Sequence, residues 1–178
     1  MNASYSRVLV TTVTTVAAAA ALGTAVAPAL TVGAAAPQKI TSTGVGAVKL
    51  GRTHKQLYDA KLVGAIRPGC ELGGPNTRGA NLRAPLKGAV DYTSSSPRKV
   101  RSISIRGGAT AKGVGIGATQ AKIKQAFPKV VLDRGTEEVF GITLAKVPKS
   151  DGGRLEFAID TGTKKVTLIG IPGIAFCE

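Results

Sequence analysis

The sequence is poor in the residues that most enzymes and metal sites require. Its 178 residues include one histidine, His54, two cysteines and no tryptophan. A single histidine argues against most serine or cysteine triads, paired-histidine metal sites and histidine-based acid–base schemes. Because His54 follows a predicted helix cap, we interpret it as a solvated surface residue.

Carboxylates offer no clear alternative route to catalysis. Glu137 and Glu138 are adjacent, and in a strand they would point to opposite faces of the sheet. The spacing of the acids brings no two of them together in the way that hydrolysis by paired carboxylates requires. We therefore predict a protein that is not an enzyme, with no catalytic residue, no cofactor and no metal ligand.

Aromatic residues are also scarce, with three Tyr and four Phe. The core must then rest on Val, Ile, Leu and Ala, which is thin for a chain of this size. The two cysteines, Cys70 and Cys177, predict a disulfide that compensates, because closing so long a loop removes about 4 to 5 kcal/mol of unfolded-state entropy. The alternatives are a metal site or a reactive thiol, and two sulfurs with one histidine do not make a zinc set.

The N-terminus has the order of a secretory signal. One charge, Arg7, precedes a long apolar run rich in Ala and Thr that ends in small residues. We predict a signal peptide over residues 1–35, cleaved after Ala34 or Ala35; the alternative is an uncleaved membrane anchor. Residues 36–43 are predicted to be a flexible linker. The predicted location is secreted or extracytoplasmic, in the cell envelope, with no stable membrane insertion after cleavage.

Positive charge is in large excess, with 24 Lys and Arg against 10 Asp and Glu and a net charge of +14. Such a charge favours polyanions or an anionic surface; the alternative is that it serves solubility alone. Four basic residues share one predicted hairpin: Arg98, Lys99, Arg101 and Arg106. No aromatic lies closer than Tyr92, so we predict contact with an anionic wall polymer or lipid surface and no specific nucleic-acid binding. A solvated strand edge protected by its charges is the other interpretation.

The chain contains an internal repeat. "VKLGRTHKQLYDA" at 48–60 and "VGIGATQAKIKQA" at 114–126 align without gaps at an offset of 66, and "KVRSISI" at 99–105 meets "KVTLIGI" at 165–171 at the same offset. Two blocks that share one offset indicate a duplicated module. We place module 1 at residues 44–108 and module 2 at residues 109–178, in one shared or closely packed domain.

Both modules have the same predicted structure. Thr53 and Thr119 are predicted N-caps of helices of about two turns, each following a glycine. Alternating apolar and polar residues then predict antiparallel strands with one buried and one wet face. The expected fold class is α+β, with the two modules packed as a helical layer on an antiparallel sheet.

The duplicated unit resembles the tandem modules of the beta-lactamase inhibitory protein and the related BamE-like modules of envelope assembly. The overall pattern also looks like small secreted actinobacterial proteins. The residues that carry the resemblance are three per module: Gly51, Thr53 and Leu57, then Gly117, Thr119 and Ile123. The resemblance implies a short helical layer on a sheet that two modules extend into a curved surface.

The stretch "GVGIGATQAKIK" at 113–124 also fits a relaxed dinucleotide-binding fingerprint. The repeat argues against that interpretation, since Gly113 and Gly115 stand opposite Ala47 and Lys49 in the first copy. A helix of two turns followed by hairpins also cannot form the parallel crossover that the fingerprint requires. We interpret the stretch as the turn that leads into a helix of the repeated unit.

Two function classes remain. The first is a secreted, non-enzymatic protein-binding or inhibitory module that holds an extracellular protein on its sheet surface. The second is a cationic envelope-associated protein that binds anionic wall polymer or a membrane surface by charge. An apolar or aromatic patch on the wet face favours the first class, and basic residues collected on one face favour the second.

Overall fold

A computed structural model of the chain describes residues 36–70, 76–148 and 154–176. These residues belong to the unit Ala35–Glu178. The predicted signal peptide, residues 1–35, and the predicted disulfide partner Cys177 lie outside the described residues.

Strands dominate the described residues, of which 45% are strand and 13% are helix. The helices are α1 (His54–Asp59), α2 (Gln120–Ala126) and α3 (Glu137–Phe140). The strands, in chain order, are β1 (Gln38–Thr41), β2 (Gly44–Val45), β3 (Val48–Lys49), β4 (Arg67–Pro68), β5 (Arg78–Asn81), β6 (Lys87–Tyr92), β7 (Val100–Gly107), β8 (Ala109–Thr110), β9 (Val131–Asp133), β10 (Ile142–Val147), β11 (Leu155–Asp160) and β12 (Val166–Ile171).

The predicted α+β class, with a helical layer on an antiparallel sheet, is wrong: the fold is mostly β. The three helices have six, seven and four residues, and α1 and α2 bury one side chain each, Leu57 and Ile123. Helices this short cannot cover a wide sheet. A second sheet of four strands, in the order β3-β2-β1-β8, is also present in the described part.

The predicted flexible linker at residues 36–43 is also wrong where β1 lies. Ile40 of β1 pairs with Val45 of β2 in antiparallel register, and Gln38 pairs with Ala109 of β8 in parallel register. Ile40 is buried. This strand was missed because its partners are two-residue strands, which are too short to show a period in the sequence.

The large sheet has eight strands in the order β4-β5-β6-β7-β12-β11-β10-β9, and all neighbours are antiparallel. Strands from residues 44–108 form one half, and strands from residues 109–178 form the other. The halves meet where β7 pairs with β12, with Ile103 opposite Ile171 and Ile105 opposite Ile169. The boundaries of the two modules stay predictions.

The structure repeats local geometry at the offset found in the sequence. Gly51 and Gly117 have φ angles of +80° and +81°. The N–H of Gly51 donates to the carbonyl of Val100 at 2.8 Å, and the N–H of Gly117 donates to the carbonyl of Val166 at 2.8 Å. Both glycines therefore turn the chain from a small strand or bridge into a helix. Each has a left-handed backbone conformation, which residues other than glycine rarely adopt.

Each of these turns ends in a threonine cap. The Thr53 hydroxyl accepts from the N–H of Gln56, whose side chain accepts from the N–H of Thr53, so α1 has a complete capping box. The Thr119 hydroxyl accepts from the N–H of Lys122 at 3.4 Å at the start of α2. The caps supply acceptors for N–H groups that short helices otherwise leave unpaired.

One hydrophobic cluster lies on one face of the large sheet. Ile105, Ile169, Phe157 and Ala145 form a continuous row across four strands, and each is completely buried. Phe127, the C-cap of α2, packs on Phe157 with ring centroids 5.6 Å apart. The small sheet belongs to the same cluster through Val45 and Val48.

Cys70 lies close in space to the C-terminal end of the described chain. Its sulfur is 3.9 Å from the carbonyl oxygen of Phe176, the residue before Cys177. This neighbourhood is compatible with the predicted disulfide, which stays a prediction because Cys177 is outside the described residues.

We predict that Gly117→Ala and Gly51→Ala each lower the free energy of unfolding by about 1 to 2 kcal/mol, measured by urea denaturation. No atom lies within 4 Å of a Cβ built at either position, so the cost is backbone strain and not a clash. Gly64→Ala is the matched control, because its φ is not left-handed and the nearest atom is 3.8 Å away. Equal effects at Gly64 and Gly117 would refute the conformational explanation.

We predict that Cys70→Ser lowers the free energy of unfolding by about 3 to 5 kcal/mol, because a long loop is no longer closed in the unfolded chain. Reducing agent should destabilise the wild type by a similar amount and leave Cys70→Ser unchanged, as measured by denaturation in both conditions. Two titratable thiols in the unfolded, unreduced wild type would contradict the prediction.

Candidate functional site

The large sheet has a second face, opposite the hydrophobic cluster, which we call the outer face. Paired residues of neighbouring antiparallel strands project to the same side. One such row crosses five strands of the outer face: Asn81, Ala89, Ser104, Gly170 and Glu156. Its short and polar residues contrast with the buried aliphatic rows of the other face.

The last described residues, Pro172–Phe176, fold back over the outer face, and we call them the C-terminal tail. The Ile174 N–H donates to Glu156 Oε2 at 2.9 Å. A methyl group at Gly170 would overlap the carbonyl of Gly173, so only glycine permits this close approach. Phe176 stacks on Phe140, with centroids 4.5 Å apart and planes at 8°.

The other end of the same half carries an ion pair. Lys146 Nζ lies 2.7 Å from Asp133 Oδ2, between β10 and β9. The hydrogen bond from Lys146 holds the pKa of Asp133 below its usual range, and the same bond raises the pKa of Lys146. Part of the half of the outer face formed by β9–β12 is thus occupied by contacts within the chain.

Beside the tail, the outer face holds an open groove of about 580 Å³, which we call the outer groove. This volume is within the usual range for ligand sites. One wall comes from the segment after β4 and the other from the tail, with the strands as the floor. The described lining residues are Arg67, Gly69, Cys70, Asn81, Gly88, Ala89, Asp91, Ser104, Arg106, Ile142, Thr167, Leu168, Ala175 and Phe176.

The outer groove joins a polar floor to an apolar wall. On the floor, Asp91 accepts a hydrogen bond from the Ser102 hydroxyl at 3.1 Å. At the rim, Arg67 donates from Nε to Asn81 Oδ1 at 3.1 Å, which fixes the guanidinium beside the groove. Ile142, Leu168 and Phe176 supply the apolar side. Sequence reasoning missed this site because Arg67 and Asn81 are 14 positions apart and are brought together only by the pairing of β4 with β5.

The structure separates the four basic residues predicted to contact polyanions. Arg106 lines the outer groove. Arg101 lies near the other end of β7, about 17 Å from Arg106 at the rise of an extended strand, and Arg98 and Lys99 come just before that strand. Arg98 donates to the Asn76 carbonyl at 3.4 Å. Three of the residues therefore lie at the end of β7 far from the outer groove, a region that we call the basic area, and the fourth belongs to a different site.

His54 is not the solvated residue that the sequence predicts. It is half-buried, with its ring 5.4 Å from those of both Tyr58 and Tyr92. Its Nε2 lies 3.2 Å from the Gly64 carbonyl oxygen. The prediction failed because the position after a helix cap is usually exposed, whereas here Tyr92 of β6 packs against it.

Tyr92 places a polar atom in the core. The residue is 1% exposed, and its hydroxyl has no hydrogen-bond partner among the described residues. Burial raises its pKa to about 12, because the phenolate would lose its hydration. An unpaired buried hydroxyl is costly for stability.

The glycine-rich stretch at 113–124 uses its backbone groups within the protein. Besides the Gly117 bond to Val166, the N–H of Ala118 donates to the carbonyl of Gly115 at 3.2 Å. The helix that follows, α2, has seven residues. These N–H groups are not directed at an open phosphate position.

Glu137 and Glu138 lie in a helix, α3, and not in a strand. The Thr143 hydroxyl donates to the Glu137 carboxylate, which also faces Arg134 Nε at 3.8 Å. Within the described ranges, no group of three or more His, Cys, Asp and Glu is arranged to hold a metal ion. No helix in the described part of the chain has the length and apolar character needed to cross a membrane.

Comparison with known proteins found no matching family model, no similar curated protein and no similar solved structure. The resemblance to the beta-lactamase inhibitory protein and BamE-like modules stays a prediction.

We predict that Tyr92→Phe raises the free energy of unfolding by about 1 to 3 kcal/mol at neutral pH, because it removes a buried hydroxyl without a partner. Tyr58→Phe, at an exposed position, is the control and should change stability by less than about 0.5 kcal/mol. Destabilisation by Tyr92→Phe, in thermal or urea unfolding, would show that the hydroxyl has a partner in solution.

The same pair of variants tests the pKa of Tyr92. Folding raises the pKa of Tyr92, so the native state favours the protonated phenol. The contribution of Tyr92 to the free energy of unfolding is therefore constant below its ordinary pKa of 10.0 and is lost as the pH rises towards 12. Over that window the wild type should lose more stability than Tyr92→Phe. If the free energies of unfolding of the two proteins run parallel over this pH range, the raised pKa of Tyr92 is contradicted.

Proposed function

We propose that the protein is a secreted, non-enzymatic protein-binding module of the cell envelope that holds its partner in the outer groove. The observation that carries this proposal is the outer groove itself, where an apolar wall meets a polar floor. Interfaces of this mixed character suit protein partners, since apolar anchors supply binding energy and polar groups fix orientation.

Exposed apolar residues beside the groove support the same function. Phe140 is 38% exposed and Val139 is 71% exposed, and Phe140 stacks on the groove-lining Phe176. Exposed apolar surface rimmed by polar residues is typical of protein-binding sites. The stacked pair of Phe140 and Phe176 beside the groove supports a protein-binding module over a cationic one.

The second candidate function is attachment by charge to an anionic wall polymer or membrane surface. The net charge of +14 and the basic area formed by Arg98, Lys99 and Arg101 favour it. That area lies outside the outer groove, so the two functions make different predictions for variants.

The groove hypothesis predicts that Ser104→Phe abolishes capture of a protein partner, because a ring at this half-buried floor position fills the groove. The measurement is a pull-down from the source organism's envelope fraction at low and high salt, with identification by mass spectrometry. Ser95→Phe, the same change at an exposed loop position, is the matched control. Both variants are first checked for wild-type thermal unfolding.

A salt-resistant protein that is retained by the wild type and Ser95→Phe but lost by Ser104→Phe supports the proposal. Retention of polyanionic polymer alone, released by salt and equal in all three proteins, overturns it in favour of attachment by charge.

A further inference from the structure

The C-terminal tail shows how the outer face holds a chain segment. Glu156 accepts from the backbone N–H of Ile174, and Gly170 lets the tail backbone approach the sheet. Phe176 finds an aromatic partner in Phe140. The tail therefore packs against the outer face through one hydrogen bond from its backbone to the Glu156 carboxylate and one ring contact with Phe140.

The floor of the same face continues beyond the tail into the outer groove, whose two walls meet where the Cys70 sulfur lies 3.9 Å from the Phe176 carbonyl oxygen. The row that contains Gly170 passes into Ser104, Ala89 and Asn81, all of them short side chains. The floor runs from Asp91, which pairs with Ser102 of β7, to Arg106, four residues further along the same strand, or about 13 Å. That length matches about four residues of an extended segment.

Charge selects the kind of segment that fits. Two guanidinium groups, Arg67 and Arg106, line the groove against one carboxylate, Asp91, which already accepts from Ser102. No ion pair within the described residues includes Arg67 or Arg106. A guanidinium pairs best with a carboxylate, in two parallel hydrogen bonds. An acidic segment is therefore favoured over a neutral or basic one.

The apolar wall adds a second requirement. Ile142, Leu168 and Phe176 line one side of the groove, so one side chain of the bound segment should be apolar. Alternation of acidic and apolar residues places these groups on opposite sides of an extended chain.

We propose that the outer groove binds an extended acidic segment of a protein partner, with carboxylates at Arg106 and Arg67 and an apolar side chain against Leu168 and Phe176. This inference rests on the proposed protein-binding function and adds the chemistry of the partner.

The test is fluorescence anisotropy with two labelled octapeptides, one alternating aspartate with leucine and one alternating asparagine with leucine. The wild type should bind the aspartate peptide about tenfold more tightly than the asparagine peptide. Arg106→Gln should lose most of that difference. Arg101→Gln, which removes an exposed arginine from the same strand outside the groove, should keep it.

Inorganic polyphosphate is the competing probe. If polyphosphate displaces the aspartate peptide equally from the wild type and Arg106→Gln, or if both arginine variants weaken binding equally, binding follows overall charge and the inference is overturned. Equal affinity of the wild type for the two octapeptides also overturns it.

The pull-down separates this inference from the proposed function. If Ser104→Phe loses the partner and Arg106→Gln retains it, the proposed protein-binding function stands and the inference of an acidic segment is refuted. If both variants retain the partner, the proposed function of the groove and the inference of an acidic segment are both overturned.

Discussion

The pairing of β7 with β12 is the constraint on which the rest of the structure depends. It joins four isoleucines, Ile103, Ile105, Ile169 and Ile171, into one block that is completely buried. Each buried side chain of this size contributes about 1.5 to 3 kcal/mol through removal of apolar surface from water. Without this seam each half would be a four-stranded sheet with an unpaired edge, which is an aggregation hazard and a marginal core.

The same register that buries the isoleucines builds the outer groove. Ser104 pairs with Gly170 between the two isoleucine pairs, so these small residues face the other side. Gly170 admits the C-terminal tail, and Ser104 leaves the floor of the groove low. A slip of one residue would exchange the faces, putting isoleucines in the groove and serine in the core. Core stability and the candidate site are therefore properties of one pairing.

Local features of the sequence were predicted better than their tertiary arrangement. The positions of α1 and α2 and the alternation in β11 and β12 are local signals, because caps and turns act over three or four residues. The helical layer was wrong because the small sheet is assembled from pieces of two to four residues, and one of them, β1, pairs with β8 about 70 residues away in the chain. His54 was misjudged for a related reason: its burial depends on Tyr92, which is 38 positions away in the chain but has its ring only 5.4 Å away.

By itself the sequence determined the charge of the protein, its poverty in catalytic residue types, the offset of 66 between similar segments and the local turns at Gly51 and Gly117. These follow from composition and from interactions between near neighbours. Only the tertiary structure decided that Arg106 shares a groove with Arg67 while Arg101 does not, and that the tail packs on the outer face beside that groove. The physical reason is that strand order and register bring together residues far apart in the chain, and no local pattern records which face or neighbour each residue receives.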